Sequence, residues 1–481
     1  MSSALPSKPD DSPVGSATLR TWDVISLLIG IVVGVGILKV PSQVFSLAGS
    51  PERAFFIWGL GACLAFCGAL CYSELAAAWP KWGGEYVYLS EAFGKRCGFV
   101  FAWMNLFAVL PGNIGAAAFI FADYAGHLHP ILARSQPFVA MAAIAGLMTL
   151  QLLGLVAGRR LQNILTVLKI LALSGVLLAG LLLPAAPVSL QEPTATPPWN
   201  ELGLALVFVL FAYGGWNDVA MVTPEVRDCR RNMPRALLLG LALVALLYLA
   251  LNFAFWRVLG TEGVKTVSAP AAALIDRTLG GSFAAGMSLI VMISALGAMN
   301  GMIFTGSRLL SAVGSDFLIF RKWNRWNRRQ VPVWSVLTIG LISMTLILLV
   351  GVRAGQQIIE TAVQSVGFHP PDWQKYGGGF EVLVAASAPV FWSFFLLSAI
   401  ALIVLRFTQP QRERPFRLPF YPLPALLFIA TACFMLWSSL SYARNITLLV
   451  LPTLLIGLLV PLRSPPASDP ENEVGTPKPR V

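Results

Sequence analysis

The sequence predicts an all-α membrane protein of about twelve transmembrane helices: two five-helix repeats of opposite topology, plus two further helices. Three observations carry this. Of the 481 residues, 56% are hydrophobic and only 12% are charged, about half the charged fraction usual in a soluble domain. Apolar runs near or above the roughly 18-residue spanning length recur from end to end. Two of those runs, the first and the sixth, are interrupted by glycines at mid-span. A separation of five spans is the offset that an inverted five-plus-five repeat requires.

Taken in order, residues 1–20 are polar and rich in Pro and Ser, without the short apolar core of a signal peptide, and are expected to form a disordered cytoplasmic tail. A single transmembrane domain should follow over 21–463, with repeats at about 22–184 and 201–406 and extra helices at about 418–462. Spans are expected near 22–47, 53–79, 98–123, 137–157, 161–184 and 201–227, then near 235–259, 282–313, 332–351, 385–406, 418–441 and 443–462. Residues 81–94 alternate aromatic and charged side chains and are too polar to span, which predicts a short interfacial helix. Residues 464–481 read as a second disordered tail.

Loop charge sets the orientation. With the N-terminus inside, Lys81, Lys95, Arg96, Arg159, Arg160 and Arg227 fall on the cytoplasmic side, as does the dense run Arg321–Arg329. The opposite loops hold scattered, mixed charges, so both termini are expected in the cytoplasm and the protein in the plasma (inner) membrane. The net charge of +11 therefore reads as basic loops against an anionic leaflet, not as a nucleic-acid surface. The longest external loop covers 351–384. His127, His129 and His369 all fall in external loops, which speaks against a histidine proton relay. Cys63, Cys67 and Cys71 recur every four residues as small packing groups. No cysteine or histidine spacing suggests a metal, and no cofactor is expected.

The chemistry concentrates at the two interruptions. In the first span Gly34-Val35-Gly36 is followed by Lys39 and Pro41; in the sixth Gly214-Gly215 is followed by Asn217 and Asp218. Glycine weakens a helix and proline removes a backbone donor, so regular hydrogen bonding should lapse at both places. Unpaired backbone is tolerated at membrane depth only where it lines a cavity or binds something. A lone Gly-x-Gly also fits close packing; the pair favours a shared site. Freed amides at a half-helix start suit a carboxylate, and freed carbonyls suit an ammonium group. An α-amino acid carries both. Lys169, inside the fifth span, is either a lysine that snorkels or a cation standing where a coupling sodium would sit. Lys39 and Asp218 are possible substrate contacts.

These residues carry a resemblance. Gly34-Val35-Gly36-Ile37, Tyr72-Ser73-Glu74-Leu75, the stretch Gly83-Gly84-Glu85-Tyr86-Val87-Tyr88-Leu89 and Phe211-Ala212-Tyr213-Gly214-Gly215-Trp216-Asn217 resemble the motifs of the amino acid–polyamine–organocation (APC) superfamily, within it the L-type amino acid transporters. Asn232-Met233-Pro234 and Arg414-Pro415-Phe416-Arg417 add to the resemblance, which covers about residues 20–460. It implies a LeuT-type fold and sodium-independent amino acid transport by alternating access, as exchange or proton symport. It implies that Gly34, Val35 and Gly36 meet the substrate carboxylate through backbone amides with Ile37 also in the substrate site, that Phe211 is an aromatic gate, and that Ala212, Tyr213 and Gly214 offer carbonyls to the amine. Asn217 would line the site, and Lys169 matches a lysine thought to replace sodium. Heterodimeric animal members carry a cysteine in the external loop after helix three; Tyr124–Gln136 contains none, so no disulfide-linked heavy chain is expected. Asp218 stands where some animal members have an aromatic residue, and Val35 where a small hydroxyl residue is usual.

Other readings fit less. A major-facilitator carrier would show a long link between spans six and seven, and here it is short. A polyamine or organocation carrier shares the same framework. A channel would need no alternating gates and would conduct rather than saturate, and a membrane-embedded transferase would want clustered carboxylates or histidines near one interface, which the sequence lacks.

Overall fold

The computed structural model describes residues 18–34, 36–182, 199–267, 269–279, 284–365, 373, 379–442 and 450–463. Among these, nine helices are long and apolar enough to cross a membrane, and one bent pair makes a tenth. That pair is α1 (Thr21–Val32) and α2 (Gly36–Ala48), set at 52° to one another. Two expected spans differ. The apolar helix Gln136–Leu152 has 17 residues, just short of a spanning length, and near 443–462 only the helix Leu451–Leu459 lies within the described residues. The two expected tails lie almost wholly outside them, as does His369.

Local chemistry starts and stops the elements. Helix α3 (Pro51–Ala78) begins with Pro51 in its first turn and with Ser50 accepting from the Arg53 amide at 3.4 Å, and it stops just before Pro80. Helix α4 (Glu85–Phe93) follows a Gly83-Gly84 turn in which both glycines have positive φ. It was expected at the interface. Instead Glu85, Tyr86, Val87, Tyr88 and Leu89 are all buried, so its first turn is inserted into the bundle. Helices α5 (Lys95–Met104) and α6 (Leu110–Leu128) run on through a π-helical turn, Asn105–Val109. Such turns widen a helix locally and re-aim its side chains.

The core is one continuous apolar cluster reaching from α1 to α17 (Leu423–Tyr442). The long helix α13 (Ala284–Asp316) runs through its middle and packs against α6, α9 (Leu155–Leu182) and α1. Helix α10 (Trp199–Tyr213) packs along α2, and α11 (Cys229–Thr266) along α1 and α3. The two interrupted helices are therefore neighbours inside a ring of longer ones. At the end carrying the N-terminus, the Leu19 amide bonds Glu225 O at 2.8 Å and the Arg227 amide bonds Leu19 O at 2.9 Å, tying the chain's start to the segment beyond the second break.

Candidate functional site

Both breaks form where the sequence places glycine. Helix α1 ends at Val32; Val33 leaves the helical region with ψ 80°, and the Gly34 amide turns back to Val32 O at 2.8 Å. A new axis starts at Gly36. Helix α10 ends at Tyr213, where the Gly214 amide bonds Phe211 O at 3.1 Å. Gly215 then adopts φ 96°, a left-handed conformation open to glycine at little cost. A 3₁₀ helix, Trp216–Glu225, continues the chain.

The breaks touch. A Cβ on Gly36 would stand 3.2 Å from Ala212 Cα, and one on Gly215 would stand 2.9 Å from the Ile31 side chain. The hydroxyl of Tyr248, on α11, lies 3.0 Å from Val32 O and 3.2 Å from Ala212 O. Its one proton satisfies one freed carbonyl at a time, so it couples the two breaks. Ser294 Oγ donates to Val33 O at 2.9 Å. Carbonyls at both breaks are thus capped from α11 and α13, and both breaks line a cavity of about 190 Å³. Drug-sized sites occupy roughly 300–1,000 Å³, so this one suits a small metabolite.

Most of the sequence-predicted residues meet here. Gly34, Gly36, Phe211, Ala212, Gly214, Asn217 and Asp218 all line the cavity. Phe211 is 43% exposed and so does not close the cavity over. Ile37 and Tyr213 are buried and are not among its lining residues; Tyr213 packs edge-on against Trp58 and beside Tyr248. Lys39 is exposed on α2, outside the lining. Val35 lies outside the described residues. Lys169 is fully buried, so it does not snorkel. Its Nζ donates to Gly30 O at 2.9 Å, within the last turn of α1 before the break, and Gly297 of α13 closes over it.

Sequence reasoning missed several groups. Glu85, from the first turn of α4, lines the cavity and is 2% exposed. Its Oε1 accepts from Tyr72 Oη at 2.9 Å and from Asn217 Nδ2 at 2.8 Å. Asn105, in the π-helical turn, and Asn113, on α6, also line it. The signal for Glu85 was a carboxylate amid aromatic residues in a segment too polar for lipid. A buried ion pair lies beside the segment that meets Leu19. Arg308 and Glu225, each 1% exposed, meet at 2.8 Å, and the Phe304 ring lies 3.8 Å from the guanidinium carbon.

Two interrupted helices meeting at one small internal cavity define the class: a multi-pass membrane transporter of the broken-helix kind. A family model described as amino acid permease matches residues 19–459, and the chain belongs to that family. It is similar to the human b(0,+)-type amino acid transporter 1, 28% identical over 82% of this chain and 77% of that protein. It is also similar to the human Asc-type amino acid transporter 1, 32% identical over 59% of this chain and 56% of the other. The mouse large neutral amino acids transporter small subunit 2 is 28% identical over 86% and 75%. The resemblance to L-type transporters is borne out, and the chain is a transporter, not an enzyme.

Proposed function

We propose that the protein moves amino acids across the plasma (inner) membrane by alternating access, independently of sodium, as an exchanger or a proton-coupled symporter. The observation that supports this best is the contact of the two breaks over one cavity, with Lys169 on the back of the first. Amides at the start of α2 receive the substrate carboxylate, and carbonyls at the end of α10 receive its ammonium group. Phe211 is the aromatic gate, its ring available to cover a bound substrate. Lys169 supplies the charge that a sodium ion would bring, holding Gly30 O and so the geometry of the break. Both termini are cytoplasmic, in line with the loop charges. One relative's name marks it as a small subunit; this chain, lacking a cysteine in Tyr124–Gln136, works without a disulfide-linked heavy chain.

The test is uptake of a radiolabelled amino acid panel into proteoliposomes, with and without sodium and with and without an inward proton gradient. Saturable, sodium-indifferent uptake that is lost in Lys169→Ala is expected. Proton-driven uptake would make Lys169 a proton carrier; exchange indifferent to pH would make it a fixed charge. Sodium-stimulated uptake, or full activity in Lys169→Ala, would remove Lys169 from the mechanism.

A further inference from the structure

One corner of the cavity has a polarity that the zwitterion site does not use. Glu85 and Asp218 both line it, and Asn217 stands between them. The Asn217 amide nitrogen donates to Glu85 Oε1 at 2.8 Å and to Asp218 Oδ1 at 3.2 Å. Turning that amide over would set its oxygen against two carboxylates, so the orientation is fixed by charge. Tyr72 spends its proton on the same Glu85 oxygen. The Asn217 amide and the Tyr72 hydroxyl are therefore already engaged. What remains is acceptors: Glu85 Oε2 and Asn217 Oδ1 are buried without a partner. Glu85 is 2% exposed and Asn217 3%. Among the described residues lining the cavity none is lysine, arginine or histidine, and Lys169 is engaged at Gly30.

Two carboxylates and an amide oxygen, buried together with no cation among the lining residues, call for a donor-rich positive group from outside. Building on the proposed amino acid site, we infer that this corner holds the charged side-chain end of a basic amino acid, an ammonium or a guanidinium group. Asp218 stands four residues beyond Gly214, in the first turn of the 3₁₀ helix that continues the chain after the α10 break. A guanidinium, with five donors in a plane, or an ammonium, with three, would bring to Glu85 and Asp218 the positive charge that the lining residues lack.

The experiment compares matched pairs on the purified, unmodified protein: arginine against citrulline, and lysine against norleucine. Dissociation constants come from calorimetry and uptake from proteoliposomes. The basic member of each pair should bind at least about tenfold tighter, since only it brings a positive side-chain charge to the two carboxylates. Asp218→Asn and Glu85→Gln should each shrink that ratio, read as the basic-to-neutral affinity ratio within each variant whatever its absolute affinities. Preference for citrulline and norleucine in the unmodified protein would overturn the inference while leaving amino acid transport intact. So would a basic preference untouched by both substitutions. Neutral uptake driven by an inward proton gradient, and losing that dependence in Asp218→Asn, would make the pair a proton site and also overturn it. Absence of saturable uptake for every amino acid in the panel would instead sink the transport reading beneath it.

Discussion

Gly36→Ala is the sharpest single test of the site's construction. The added methyl would stand 3.2 Å from Ala212 Cα and 3.3 Å from Ala212 Cβ. Both are tighter than ordinary carbon contacts, and neither atom ends a flexible side chain that could swing aside. The strain must be relieved by parting the two breaks by a few tenths of an ångström. Overpacking of this kind costs about 1–3 kcal/mol. The cavity lies beside the contact, so the breaks can part into it, and the cost is expected in substrate affinity more than in global stability. At 1.4 kcal/mol per factor of ten, that is roughly a 5- to 150-fold weaker dissociation constant. Gly36→Leu, with three more carbons at the same place, should abolish binding while leaving the protein inserted. The assay is calorimetric titration of detergent-purified protein with the best substrate of the uptake panel, beside a thermal melt without ligand. An unchanged dissociation constant and unchanged melt for Gly36→Ala, or normal affinity in Gly36→Leu, would show that the breaks do not wall the site.

Three further outcomes are expected. Phe211→Ala, which removes a half-exposed ring from the cavity wall, should lower transport more than equilibrium binding; equal losses would make the ring an ordinary wall. Tyr248→Phe keeps the ring contacts with Trp58 and Tyr213 and deletes only the hydroxyl between Val32 O and Ala212 O, so chemical unfolding should show a loss of about 0.5–1.5 kcal/mol. Arg308→Met strands the buried Glu225 carboxylate and should cost about 3–5 kcal/mol in the same assay, whereas the double replacement Arg308→Met with Glu225→Leu should recover most of it.

What the sequence discloses here is governed by the range over which each signal acts. The breaks were legible because Gly34, Gly36, Gly214 and Gly215 act on their own backbone, and a lapse in helix hydrogen bonding needs no distant partner. Lys169 was legible as a charge inside an apolar run, though only the fold shows its ammonium against Gly30 O instead of snorkelling. Glu85 was not legible as a cavity residue. Its partners Tyr72 and Asn217 lie 13 and 132 positions away, and only the insertion of α4 into the bundle brings them together. Lys39 is the instructive contrast. It is as conspicuous in the sequence as Lys169 and sits just beyond a break, yet it is exposed. The reason is helical phase. Lys39, Gln43 and Ser46 follow one another at four and three residues, all exposed, while Val40, Pro41, Ser42, Val44 and Phe45 between them are buried. That spacing is one polar stripe on an amphipathic helix. Proximity to a break counts for less than the face of the helix, and from Gly36 onward that face could have been read from the sequence.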